Sequence, residues 1–99
     1  MNDIPDQEDP KLKELKARAQ TLQALIRVGH DGVSEGLIKA VNDALDQHEL
    51  VKIKFMALKD QKKLLSRAVE TQTNSKMVQR VGNTATYFRA KGQHAQPQQ

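Results

Sequence analysis

Two glycines three residues apart, Gly29 and Gly32, mark the part of the sequence best suited to bind a ligand. They follow a short apolar segment that ends at Val28, and Ser34, which can cap a helix, comes two residues later. A loop between a strand and the start of a helix presents backbone N–H groups, to which the helix dipole adds partial positive charge. Phosphate groups bind well at such a junction. The segment therefore predicts a phosphate-binding loop, although the same glycines would also suit a tight turn with no ligand.

The charge of the chain indicates which phosphate ligand to expect. The 99 residues include 16 Lys and Arg and 12 Asp and Glu, a net charge of +4, and residues 1–9 hold four of the acids and none of the bases. The remainder is strongly basic and would attract a polyanion, although many small proteins are basic for solubility alone. Together with the loop, this charge predicts binding to the backbone of a nucleic acid, RNA rather than DNA.

The candidate RNA-binding residues combine the loop with basic side chains elsewhere in the chain. Lys52 and Lys54 alternate along a predicted strand and share one face of it, which is either a solvated surface or the side of an open groove. Residues 76–91 contain four basic residues and no acidic one. The full set of candidates is Gly29, His30, Gly32, Ser34, Lys16, Arg18, Arg27, Lys52, Lys54, Arg80, Arg89 and Lys91.

The sequence lacks the patterns that catalysis and metal binding require. There is no cysteine, which excludes disulfides, thiolate metal sites and thiol nucleophiles. The histidines His30, His48 and His94 do not have metal-ligand spacing, and there is no serine nucleophile motif or Walker-type loop. We therefore expect a protein that is not an enzyme, with no catalytic residue, no metal, no cofactor and no small-molecule substrate.

The sequence also carries no membrane or export signal. No apolar segment is long enough to cross a bilayer, and the first six residues lack the basic and apolar regions of a signal peptide. The absence of cysteine agrees with a reducing compartment. We expect a cytoplasmic monomer with no membrane partner.

Hydrophobic periodicity predicts seven elements in the order α-β-α-β-α-β-β. Helices are expected at residues 10–21, from the Ser34 cap to about 48, and at 59–73; strands are expected at 24–28, 50–56, 76–81 and 84–89. Gly82 and Asn83 suit a two-residue turn between the last two strands. This order predicts a compact two-layer or three-layer α/β sandwich with helices packed on a four-stranded mixed sheet. Residues 10–91 would form one domain between flexible tails at 1–9 and 92–99.

Side-chain spacing predicts which residues face the sheet. In the third helix, Leu64, Leu65, Ala68 and Val69 are expected inward, and Lys59, Lys63 and Arg67 outward. Tyr87 and Phe88 point to opposite faces of the last strand, so one is expected in the core and the other is available to stack on a base. With only three aromatic residues, recognition of RNA backbone and shape is favoured over base stacking.

Four segments together resemble the CRM domain (chloroplast RNA splicing and ribosome maturation), most closely its stand-alone bacterial YhbY-type members. They are Leu15–Leu22, Val28–Gly36, His48–Lys54 and Val81–Thr84 leading into Tyr87-Phe88-Arg89, within residues 11–91. The resemblance implies an RNA-binding domain similar in shape to the C-terminal domain of translation initiation factor 3. It also likens the GxxG loop to that of KH domains. Stand-alone bacterial members are associated with precursors of the large ribosomal subunit.

The chain departs from the family pattern at three positions. Ala24 stands where the family usually has proline, Asn83 replaces a lysine at the last hairpin, and Thr73-Asn74 replaces Thr-Gly. The change at Asn83 removes a potential phosphate contact from that hairpin.

The resulting functional hypothesis is an RNA-binding protein that associates with structured ribosomal RNA as an assembly or maturation factor of the large subunit. It would grip the RNA backbone with the GxxG loop and a basic surface. Two alternatives stay open. One is an adaptor that binds an acidic protein with its basic face. The other is an RNA-binding regulator outside the ribosome, or a nucleoid-type DNA binder.

Overall fold

A computed structural model of the chain describes residues 10–90. Its elements are α1 (Pro10–Thr21), β1 (Ala24–Val28), α2 (Glu35–His48), β2 (Leu50–Phe55), a 3₁₀ turn (Lys59–Gln61), α3 (Lys62–Thr73), β3 (Lys76–Val81) and β4 (Thr84–Phe88). The predicted element order is confirmed. The predicted tails at 1–9 and 92–99, and the candidate Lys91, lie outside the described residues.

The four strands form one mixed sheet in the order β1-β2-β4-β3. β1 runs parallel to β2, and β4 is antiparallel to both β2 and β3. Helices α2 and α3 contact one face of the sheet, and α1 contacts β3 and β2 from the other. The fold is therefore the three-layer form of the predicted α/β sandwich.

The larger core lies between the sheet and helices α2 and α3. Val41 of α2, Val69 of α3 and Ile53 of β2 are all completely buried there. Tyr87 of β4 is buried among them, and its hydroxyl donates to the carbonyl oxygen of Ser66 at 2.7 Å. Burial, together with the nearby negative charge of Glu70, raises the pKa of Tyr87.

The smaller core lies under α1 and covers only part of the opposite face. Leu15 of α1 packs with Leu50 and Val78, which come from β2 and β3. Phe88 lies half-buried against this cluster, with Lys11 Nζ 5.4 Å from the centre of its ring. Tyr87 is therefore the aromatic residue of β4 that lies in the core, and base stacking by the partly exposed Phe88 stays a prediction.

Two details of the third helix differ from the sequence-based expectation. Residues 59–61 form a 3₁₀ turn, and the α-helix begins only at Lys62. Leu64 is 69% exposed, not inward, whereas Ser66 and Val69 are buried. Position 64 lies about 100° around the helix from Leu65, so it falls outside the stripe that faces the sheet. The polar Ser66 is accepted inside because its carbonyl and hydroxyl oxygens are both hydrogen-bonded.

Candidate nucleic-acid interface

Residues 29–32 form a hydrogen-bonded turn, and its two glycines have different structural roles. The N–H of Gly32 donates to the carbonyl oxygen of Gly29 at 3.0 Å. Gly32 is buried with φ +65°, and a Cβ atom there would lie 3.3 Å from Leu58 Cδ1. Gly29 is exposed, and a Cβ atom there would meet nothing within 4 Å. Gly32 is thus required by the turn, whereas Gly29 leaves backbone open to an approaching ligand.

The start of α2 is fixed by Ser34, as predicted. Its Oγ accepts from the N–H of Leu37 at 3.1 Å, and its carbonyl oxygen accepts from the N–H of Ile38 at 3.0 Å. The amides of Glu35 and Gly36 precede that first intrahelical bond and carry the positive end of the helix dipole. Ser34 therefore acts by orienting the helix start beside the loop.

A concavity of about 350 Å³ lies beside the loop and the helix start. Its lining includes Ile26 and Arg27 of the edge strand β1 and Leu37 of α2. His30 and Asp31, at the tip of the turn, are both exposed. The loop thus presents one potential phosphate donor and one carboxylate that would oppose a phosphate.

Next to this concavity is a second one, of about 430 Å³, on the part of the sheet that α1 leaves open. Arg27, Lys52 and Lys54 line it, and we call these three residues the groove triad. Arg27 and Lys54 are direct partners in the β1–β2 register, and Lys52 lies two residues from Lys54 on the same face. Sequence reasoning missed Thr84, which also lines this groove and pairs with Lys54 from β4.

Arg27 connects the loop to the groove because its side chain lines both concavities. Arg18, near the end of α1, lines a further concavity that also includes Lys52, so it lies close to the groove. Lys16 is half-buried on α1. Five of the predicted basic residues are thus in the region of α1, β1 and β2, and four of them line connected concavities: Arg18, Arg27, Lys52 and Lys54.

Arg80 lies away from this region. It is exposed on β3, the strand at the other edge of the sheet. Its register partner on β4 is Ala85, which belongs to the core under α2 and α3, so Arg80 is also on the opposite face. The structure does not bring it together with the groove triad.

Arg89 is not a surface residue, and its prediction as an RNA contact is wrong. Only 2% of it is exposed. Its guanidinium donates to Asn42 Oδ1 at 2.8 Å, to the carbonyl oxygens of Thr73 and Asn42, and to Asp46 Oδ1 at 2.9 Å. These four guanidinium bonds all go to residues of α2 and α3. A buried arginine persists only when its donors are satisfied in this way.

Within residues 10–90, no group of three or more His, Asp and Glu side chains is placed to hold a metal ion. In the same range, no helix is both long and apolar enough to span a bilayer.

Comparison with known proteins agrees with the resemblance drawn from the motifs. The model of the CRS1 / YhbY (CRM) domain matches residues 8–89. An RNA-binding protein of Haemophilus influenzae is 32% identical over 76 residues, which are 76% of this chain and 77% of that protein. A probable RNA-binding protein of Pseudomonas aeruginosa is 31% identical over 78% of this chain and 75% of its own length.

The fold is also found among solved structures. The solution structure of a hypothetical protein of Staphylococcus aureus, described as a candidate RNA-binding protein, superposes with a TM-score of 0.72. The two chains are 26% identical, and the match covers 83% of this chain and 86% of the other.

Proposed function

This chain belongs to the CRS1/YhbY (CRM) domain family, and on that premise we propose that it binds structured ribosomal RNA as an assembly factor of the large ribosomal subunit. In this proposal the RNA backbone lies across the Gly29–Gly32 loop and along the groove triad. The names of its relatives describe RNA-binding proteins and not enzymes, which supports the binding function.

The observation that carries the proposal is the continuity of the loop with the groove. Arg27 lines both concavities, so a strand of RNA that passes the exposed Gly29 backbone reaches Lys54 and Lys52 without crossing a helix. Glycine lets the phosphate backbone approach closely, and the cations displace its condensed counterions. Because such contacts do not read bases, the expected recognition is of backbone and shape.

Salt-dependent binding to a ribosomal RNA fragment tests the contact with the backbone. Log affinity should fall steeply with log salt concentration, since each neutralised phosphate adds to the slope. His30→Glu should weaken binding several-fold by placing a carboxylate at the loop tip. Gln72→Glu, which makes the same charge change at an exposed position of α3, is the matched control and should have little effect. Binding that ignores salt, or equal effects of the two variants, would contradict this assignment.

Sedimentation of a cell extract tests the ribosomal part of the proposal. The protein should be enriched in particles just smaller than the mature large subunit, and mild nuclease treatment should release it. A protein found only at the top of the gradient that still binds RNA in vitro would instead indicate a regulator outside the ribosome. Capture of a protein partner that survives nuclease would indicate the adaptor.

A further inference from the structure

A third concavity, of about 520 Å³, lies at the other end of β1 from the glycine loop. Its floor contains Leu22 after α1, Leu25 of β1 and Leu50 of β2. Its lining also includes Arg18 and Lys52, which supply positive charge, and His48, the last residue of α2. An apolar floor with a cationic border suits a ligand that is both flat and apolar in one part and anionic in another.

Leu25 is the most exposed part of this floor. It is 55% exposed, and it lies on β1, which is an edge strand of the sheet. No element among residues 10–90 covers it. Its exposed apolar surface would be stabilised by any apolar partner that excludes water from it.

This concavity continues into the groove. Thr21, Leu22, Gln23 and Lys52 line both of them. Since Arg27 joins the groove to the glycine loop, one track follows β1 from the leucine floor through the groove triad to the loop. The five residues of β1 alone extend about 16 Å, which is room for a few nucleotides.

We propose that the leucine floor seats an unpaired base of the RNA whose backbone occupies the groove. The inference rests on the proposed function and adds to it that the bound segment is single-stranded at this point. The face of the base would lie against Leu25 and its neighbours, while the adjoining phosphate lies between Arg18 and Lys52. A polyanion carrying flat apolar bases is favoured over an apolar peptide because cations border the floor and continue along the track.

The test compares an exposed leucine of the proposed base site on β1 with an exposed leucine of α3. Leu25→Ala and Leu64→Ala remove the same atoms from side chains that are 55% and 69% exposed. The probe is a short uridine oligonucleotide, measured beside an oligonucleotide of equal length made of abasic ribose. Leu25→Ala should weaken binding of the uridine oligonucleotide roughly five- to tenfold, because the base would no longer cover the apolar surface of the leucine side chain. Its salt dependence should not change, because no cation is removed.

The control and the second probe make the result decisive. Leu64→Ala should leave the affinities for the uridine oligonucleotide and for the abasic strand unchanged. Leu25→Ala should leave the affinity for the abasic strand unchanged. Equal effects of the two variants on the uridine strand, or an equal loss for the abasic strand, would overturn the base-binding floor while leaving the groove intact. A wild-type chain that binds neither strand, nor the ribosomal RNA fragment, would overturn the proposed function as well.

Methyl NMR of the unmodified protein gives an independent measurement. A saturating concentration of the uridine oligonucleotide should shift the methyl signals of Leu25 and leave those of Leu64 unchanged. The abasic strand should shift the methyl signals of Ala24 and Thr84, which line the groove, but not those of Leu25. Leu25 signals that stay in place with the uridine oligonucleotide while the Ala24 and Thr84 signals move would overturn the inference.

Discussion

Two groups of three basic residues with the same composition lie in different settings on this molecule. The groove triad consists of Arg27, Lys52 and Lys54 on adjacent strands. The second group, Lys59, Lys63 and Arg67, lies four residues apart along α3 and its preceding turn, and we call it the helix triad. Every member of the helix triad is exposed, as predicted.

The surroundings of the two triads differ more than their charge. The groove triad borders a concave surface that continues to an open glycine backbone. In the helix triad, Lys63 and Arg67 border a separate concavity of about 410 Å³, together with the exposed Leu64 and the carboxylate of Asp60. Neither loop glycine lines that concavity. Charge alone therefore does not distinguish a binding surface from a solvated one. The distinction comes from what the fold places beside the charges.

The largest effect is expected when the groove triad is removed. Changing Arg27, Lys52 and Lys54 together to Ala should lower RNA affinity by about 100- to 1000-fold and the salt slope by about 2 to 3, since roughly three phosphate contacts are lost. The same triple change of Lys59, Lys63 and Arg67 should cost less than about threefold, through long-range charge alone. Fluorescence anisotropy over a salt series measures both. Equal losses would remove the distinction between the triads.

A smaller effect, on stability instead of binding, is expected for the buried arginine. Arg89→Met should lower the free energy of unfolding by about 2 to 3 kcal/mol, because the buried carbonyl of Thr73 and the partly buried Asn42 lose their donor. Urea denaturation measures this change. RNA affinity of the folded variant should stay within about twofold of wild type. A loss of RNA affinity with unchanged stability would instead indicate that Arg89 contacts RNA.

Alanine substitutions at Gly32 and Gly29 test the backbone conformation of the turn beside the groove triad. Gly32→Ala should destabilise the fold by about 1 to 2 kcal/mol, because alanine is strained at φ +65° and its Cβ would crowd Leu58. Gly29→Ala has open space and should cost less than about 0.5 kcal/mol. Thermal unfolding compares the two. The opposite order would mean that the turn is shaped differently from the one described.

The smallest effect is expected at Tyr87, which checks that surface variants keep an intact core. Its pKa is raised in the folded state, so its contribution to stability is complete below the unfolded value of about 10 and is lost as the pH rises above it. Because it is the sole tyrosine, phenolate absorbance follows it directly. The triple alanine variants of the groove triad and of the helix triad should both keep the raised pKa of Tyr87 in the folded state. Tyr87→Phe should remove this pH dependence and cost about 1 kcal/mol through the lost bond to Ser66.

Local patterns predicted the elements well because each is dictated by neighbouring residues. The alternation in Leu50–Phe55, the cap at Ser34 and the Gly82-Asn83 turn all act within a few positions. The apolar stripe of α3 was misjudged only at Leu64, because the sequence does not show how far around the helix the sheet extends.

The grouping of the basic residues could not be predicted, because it depends on contacts between distant segments. Arg27 meets Lys54 only after β1 pairs with β2, and the groove is open only because α1 packs toward β3. Arg89 looks like a surface cation in the sequence, and its partners Asn42 and Asp46 lie more than forty positions earlier. Nothing local distinguishes it from Arg27.

The links made by residues 84–89 also set an order for folding during synthesis. β4 fills the place between β2 and β3, and Arg89 then ties α2 to the end of α3. Without β4 and Arg89, β2 has no partner on one edge, and Thr73, Asn42 and Asp46 lack their donor. We therefore expect the domain to close late, once β4 has left the ribosomal tunnel, and Thr84 to complete the groove lining at that step.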